Sequence, residues 1–213
     1  MALKLYDELD DDDLSAPAAV AIVGRSGSGK TTLIEKLIAS LDAEGYVVGS
    51  IKHHSHKDFE IDHEGKDSWR HRKAGSRHVM IASPNQLVSI QALDQEMDYP
   101  QIVAQMNDVD IVIAEGYRHA GLPVIAIFRA ANDHKRKPIE FKPADYVDGE
   151  LDSRIRIIPL EDPEQCAILD LRDTVAVVAD VQPVLDEAAA AGLPCFALDD
   201  VDGVVDFIKE QFL

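Results

Sequence analysis

Three features of this sequence predict an α/β fold in three layers, with helices on both faces of a mainly parallel sheet. Strand-like and helix-like segments alternate along the chain, the order that builds parallel sheets through crossover helices. Two strand candidates, residues 110–115 and 124–128, are nearly continuous apolar runs, as strands buried on both faces require. A glycine-rich loop separates the first apolar run from the first helical pattern, the place where such folds hold anions. The 213 residues, 46% hydrophobic and 28% charged, are enough for one core without disulfide staples.

Taken in order, residues 1–16 are acidic and without periodicity, so a mobile tail is expected there. The folded domain is expected over 17–213. Residues 18–23 read as the first strand. The run from Thr32 to Ala39 has apolar residues at helical spacing, with a stop at Gly45. A second strand is expected at 46–51, a short helix at 67–74 closed by Gly75, and a hairpin of strands 78–82 and 86–92 around Ser83-Pro84-Asn85. A helix follows at 100–106, then the strands 110–115 and 124–128. Residues 130–172 have mixed polarity and four prolines. They read as an irregular insertion with one strand at 154–158. Regular alternation returns with strand 174–179, helix 184–191, strand 194–198 and a last helix from 201 to 212.

The loop Gly24-Arg25-Ser26-Gly27-Ser28-Gly29-Lys30-Thr31 matches the phosphate-binding P-loop pattern in full, between a strand and a helix as that motif requires. The fold expected is therefore the P-loop NTPase-type sandwich. Gly24, Gly27 and Gly29 permit positive φ and close backbone approach, so that N–H groups around Ser26 and Ser28 converge on phosphate at the positive end of the helix. Lys30 supplies a point charge for the outer phosphates, the Thr31 hydroxyl a magnesium ligand, and Thr32 continues the first turn.

Four apolar residues, Ile111 to Ala114, lead into Glu115-Gly116-Tyr117. An acid at the carboxyl end of a buried strand faces the ligand crevice, where Glu115 is placed to hold magnesium or orient water. The loop after the second strand, Lys52 to Ser68, is dense in His, Asp and Glu and occupies a switch position, with Asp58 and Asp62 as magnesium candidates. Its histidines admit a transition-metal site, though no standard zinc spacing is present. Arg70, His71, Arg72, Lys73 and Arg77 form the one basic island, either a solvated helix face or an anion-recognition surface.

Four blocks together carry a family resemblance. They are the P-loop from Gly24 to Thr32, the run from Ile51-Lys52-His53 through Asp58-Phe59-Glu60-Ile61-Asp62 to Gly65-Lys66-Asp67-Ser68, Arg72-Lys73-Ala74-Gly75, and Ile113-Ala114-Glu115-Gly116-Tyr117. In these the chain resembles the MobB family, which assists the biosynthesis of molybdopterin guanine dinucleotide. The resemblance implies a homodimeric, weakly hydrolysing GTP-binding adaptor. It implies GTP and Mg2+ as ligands, and a MobA-type nucleotidyltransferase as partner, with molybdopterin or a molybdoenzyme nearby. Guanine preference rests on the resemblance, since no Asn-Lys-x-Asp motif occurs. Asp180, ending a late strand, is either a guanine acceptor or a turn residue or helix cap. The alternatives are a metal-delivery GTPase using the His-rich loop, and a small-molecule kinase.

With 21 Lys+Arg against 39 Asp+Glu, the formal charge is −18. Bulk binding of nucleic acid or anionic membrane is disfavoured on that account. Two cysteines and no apolar run of about 18 residues fit a reducing, cytoplasmic setting.

Overall fold

A computed structural model describes residues 16–54, 60–118, 120–130, 145–148, 150–160 and 166–213. The acidic tail and Asp58 lie outside them. The described residues fall into two compact units, those within 16–53 and 102–213, and those within 54–101.

The larger unit is built on six parallel strands: β1 (Ala18–Gly24), β2 (Val48–Lys52), β5 (Ile111–Glu115), β6 (Val124–Phe128), β11 (Thr174–Ala179) and β12 (Cys195–Phe196). Their order is β12-β11-β6-β1-β5-β2. The first crossover runs from β1 past the place of β5 to β2, and a later one places β6 on the opposite side of β1. The winding direction therefore reverses at β1, and the crevice outside its carboxyl end is the expected ligand position. Register brings Glu115 beside Ile22 and Lys52, and Ile127 beside Gly24. The ends of β1, β2, β5 and β6 thus meet at one edge. The α/β, mainly parallel P-loop architecture is as the sequence predicts.

One face is sealed by α1 (Lys30–Ala43) and α5 (Val201–Phe212). Leu33, Leu37 and Leu41 of α1 and Val204 and Ile208 of α5 recur at helical spacing. They pack into one cluster with Val20, Ile22, Ile111, Ile113, Ile125 and Val178. Each such fully buried side chain contributes about 1.5–3 kcal/mol relative to exposure. Asp200 caps α5 by accepting from the Gly203 amide at 3.1 Å. Helix α4 (Gln182–Ala190), with Val184 and Ala188 buried, runs against β11 and against β9 (Ile155–Pro159) and β10 (Cys166–Asp170).

Two expected boundaries shift for a local reason. Gly45, at φ 95°, ends α1 in a left-handed turn, with its amide donating to Asp42 and that of Tyr46 donating to the Leu41 carbonyl. Tyr46 is consumed by this cap and Val47 exchanges bonds with Asp110, so the strand expected at 46–51 is Val48–Lys52. The late strand shrinks from 194–198 to Cys195–Phe196.

The insertion is more ordered than its prolines predict. Besides β9 (Ile155–Pro159), strand β10 (Cys166–Asp170) pairs with it antiparallel, and β7 (Tyr146–Val147) pairs with β8 (Glu150–Leu151). Arg172 ties these pieces together, donating to Asp145 at 2.8 Å and to Asp170. The two carboxylates raise its pKa further above the ordinary arginine value, against the opposing effect of desolvation.

The 54–101 unit holds α2 (Asp67–Lys73) and the antiparallel hairpin β3 (His78–Ser83) and β4 (Gln86–Gln91). Helix α3 (Tyr99–Val103) ends three residues before the expected limit of 106. Both faces of the hairpin carry exposed apolar side chains, Ile81 opposite Val88 on one and Met80 and Leu87 on the other. Of the twelve residues of β3 and β4, only Val79 is buried. Among the described residues no helix is long and apolar enough to cross a membrane.

Candidate functional site

The loop between β1 and α1 is shaped by its glycines. Gly27 and Gly29 hold φ of 78° and 94°, in the left-handed region that side chains avoid. Gly29 is the N-cap of α1, so the helix opens with no side-chain cap. Its free N–H groups are left for a ligand. Gly24 is demanded by space: a Cβ there would lie 2.4 Å from Ile127 Cγ2 and 2.6 Å from the Ile127 carbonyl. Ser26, Thr31 and Thr32 are exposed around the loop, and Ser28 is turned beneath it at 2% exposure.

Lys30 folds back over the loop. Its ammonium donates to the Gly24 carbonyl at 2.9 Å and to the Arg25 carbonyl at 2.7 Å. Burial lowers its pKa from the ordinary lysine value. Glu115 opposes that shift and Lys52 adds to it. The Thr31 hydroxyl donates to Glu115 Oε2 at 3.1 Å, and Lys52 Nζ lies 3.3 Å from Oε1. Sequence reasoning paired Thr31 with Glu115 by role, and the fold brings them into contact. It gave Lys52 no part in the site. The available signal was its place at the carboxyl end of the strand next to β5.

Gly116 at φ 99° and Tyr117 at φ 61° turn the chain away immediately after Glu115, and the His53 amide donates to the Glu115 carbonyl at 3.0 Å. The His53 ring stacks obliquely on Tyr117 with centroids 4.8 Å apart. Asp180 ends β11 at the same edge of the sheet, exposed, and its Oδ1 accepts from the Ala130 amide at 2.6 Å. That bond ties β11 to the chain leaving β6.

In the smaller unit, Asp62 accepts from the Ser68 hydroxyl at 2.9 Å and lies 3.7 Å from Arg72. The basic island is largely paired: Arg70 with Asp67, Arg72 with Asp62, and Arg77 with Asp94 at 2.6 Å, while Lys73 sits 5.2 Å from the Trp69 ring centroid. Among the described residues no three His, Cys, Asp or Glu side chains cluster as a metal site. Asp58 and His56 lie outside the described residues.

Comparison with known proteins gives concordant matches. Residues 19–144 match the family described as molybdopterin guanine dinucleotide synthesis protein B, MobB. The molybdopterin-guanine dinucleotide biosynthesis adapter protein of Escherichia coli (strain K12) is 31% identical over 195 residues, covering 90% of this chain and 91% of the relative. A crystal structure of molybdopterin-guanine biosynthesis protein B superposes with a TM-score of 0.57 at 28% identity, covering 90% of this chain and 98% of that one. The hydrogenase maturation factor HypB from Archaeoglobus fulgidus, at 16% identity and a TM-score of 0.50, shares the fold over 95% of this chain and 94% of its own. A complete P-loop, its threonine bonded to the acid that ends β5, and the match over more than half the sequence agree: the chain belongs to the MobB family.

Proposed function

We propose that this chain is a nucleotide-binding adapter in molybdopterin guanine dinucleotide biosynthesis, taking Mg-GTP at the P-loop, hydrolysing it slowly, and working beside a MobA-type nucleotidyltransferase. The observation that carries the nucleotide half is the grouping of Lys30, Thr31 and Glu115 at the mouth of α1. The adapter half is supported by the relatives' names and family. The guanine base is assigned by the family product, with Asp180 at the edge where the base of a bound nucleotide would lie.

The donor set suits magnesium: a hydroxyl and a carboxylate within 3.1 Å of each other are hard oxygen ligands that leave room for phosphate oxygens and water. Bound there, the ion supplies positive charge opposite the phosphates. The protein's own contribution is positional. The α1 amides and Lys30 hold the phosphate chain, while Glu115 accepts a proton or orients water. Both Glu115 oxygens are engaged, by Thr31 and Lys52, which fixes the orientation of the carboxylate and leaves each oxygen a lone pair for water. We expect Glu115→Gln to lower magnesium-dependent phosphate release at least about 100-fold, the range of a lost general base, with nucleotide affinity changed less than threefold. Single-turnover assays and calorimetry on the same samples read both numbers, and unaltered release assigns Glu115 to the fold alone. Capture of the nucleotidyltransferase by this chain with and without GTP tests the partnership.

We further infer a homodimer closed through the β3–β4 hairpin. Two-stranded sheets are marginal alone, and this one exposes Met80, Ile81, Leu87 and Val88. Leu87→Asp, at a side chain 62% exposed, is expected to convert a dimer to a monomer in sedimentation equilibrium without loss of helical circular dichroism. A dimer that persists moves the interface elsewhere.

A further inference from the structure

A pocket lies beneath the phosphate loop, between the ends of β1 and β6 and strand β10. Three arginines line it, Arg25, Arg118 and Arg129. Among the described residues Arg25 and Arg129 pair with no carboxylate. Arg118 is in the field of Asp170 and Asp145, which share Arg172, so that with Asp173 four arginines face three carboxylates. In a chain of net charge −18, this is a local excess of positive charge. Its walls are apolar and small, with Val23, Ala126 and Phe128 along one side.

A second observation points to a ligand. Ser28, which also lines the pocket, has its hydroxyl buried with no hydrogen-bond partner among the described residues. Buried hydroxyls are rarely left so, and the oxygen of an anionic ligand is the acceptor it lacks. Arginine forks match phosphate in two-point geometry, and the alanine and aromatic wall suits a flat ring. Asp173 also lines the pocket, and a carboxylate accepts hydrogen bonds from ring amino groups.

We propose that this pocket binds a phosphorylated flat heteroaromatic molecule of pterin type, with its phosphate on Arg118 and Arg129 and its ring against Val23, Ala126 and Phe128. The choice of a pterin ring rests on the function proposed above; the anion site rests on the arginines and Ser28. Gly24 and Ser28 belong to both the P-loop and this pocket, so the two ligands share one loop. The adapter then brings together the two halves of the dinucleotide.

The test uses the full chain and 6-hydroxymethylpterin monophosphate, whose own fluorescence reports binding by anisotropy. We expect saturable binding that is weakened at least tenfold by Arg118→Ala, a change at an exposed residue outside the P-loop. Unphosphorylated 6-hydroxymethylpterin is expected to bind at least tenfold more weakly, and saturating Mg-GTP to leave the probe in place. Displacement by Mg-GTP puts the probe in the P-loop and overturns the proposal, as does equal binding by Arg118→Ala or no anisotropy change in the wild type. Inorganic phosphate competing as well as the probe overturns the ring assignment. A wild type that binds the pterin phosphate but not GTP would remove the nucleotide reading and leave this site standing.

Discussion

Replacing Lys30 by alanine is expected to weaken triphosphate binding on the order of 100-fold while the protein stays folded. Lys30 opens α1, where alanine is the better helix former, so the helix is retained. What goes is a charge-assisted contact to the outer phosphates, worth about 1.5–3 kcal/mol. The two bonds from its ammonium to the Gly24 and Arg25 carbonyls are lost with it. Calorimetric titration with Mg-GTP measures the affinity and circular dichroism the fold. Undiminished affinity would separate nucleotide binding from this loop.

Gly24→Ala is expected to act on stability as well as on binding. The added methyl would meet the Ile127 side chain at 2.4 Å, the Ile127 carbonyl at 2.6 Å and Ser28 Oγ at 2.7 Å. The carbonyl belongs to β6, which is in parallel register with β1 at this position, so relief requires separating two central strands. Overpacking of this kind costs about 2–3 kcal/mol, which lowers the Tm of a chain this size by roughly 5–10 °C. Since Ser28 must shift too, the phosphate nest deforms and triphosphate affinity falls in parallel. A thermal melt that coincides with wild type would refute the steric argument.

The parts of the molecule that were legible in the sequence are those set by neighbours along the chain. The P-loop is eight consecutive residues between a strand and a helix, and β6, β11 and α5 fall at the residues their patterning indicates. Glu115 could be found because a buried parallel strand announces its own carboxyl end. Strand β10 escaped for a physical reason: Ala167 and Leu169 point into the core, but Ile168 is apolar too and lines the pocket. The alternation that marks a one-sided strand is therefore absent. Lys52, Arg118 and Arg129 acquire their surroundings only when distant strands come together, and no spacing along the chain encodes that. Asp180 was visible as the end of a strand, whereas its hydrogen bond to the Ala130 amide depends on β6 lying alongside.

The ammonium of Lys30 has three hydrogens to donate, and the two carbonyls of its own loop engage two of them. An incoming nucleotide meets a cradle whose shape is already held, with a donor still in reserve. Little chain ordering separates encounter from capture. Arrival of the nucleotide should then be governed by diffusion and by the long-range repulsion of an acidic surface, so that its on-rate rises with added salt.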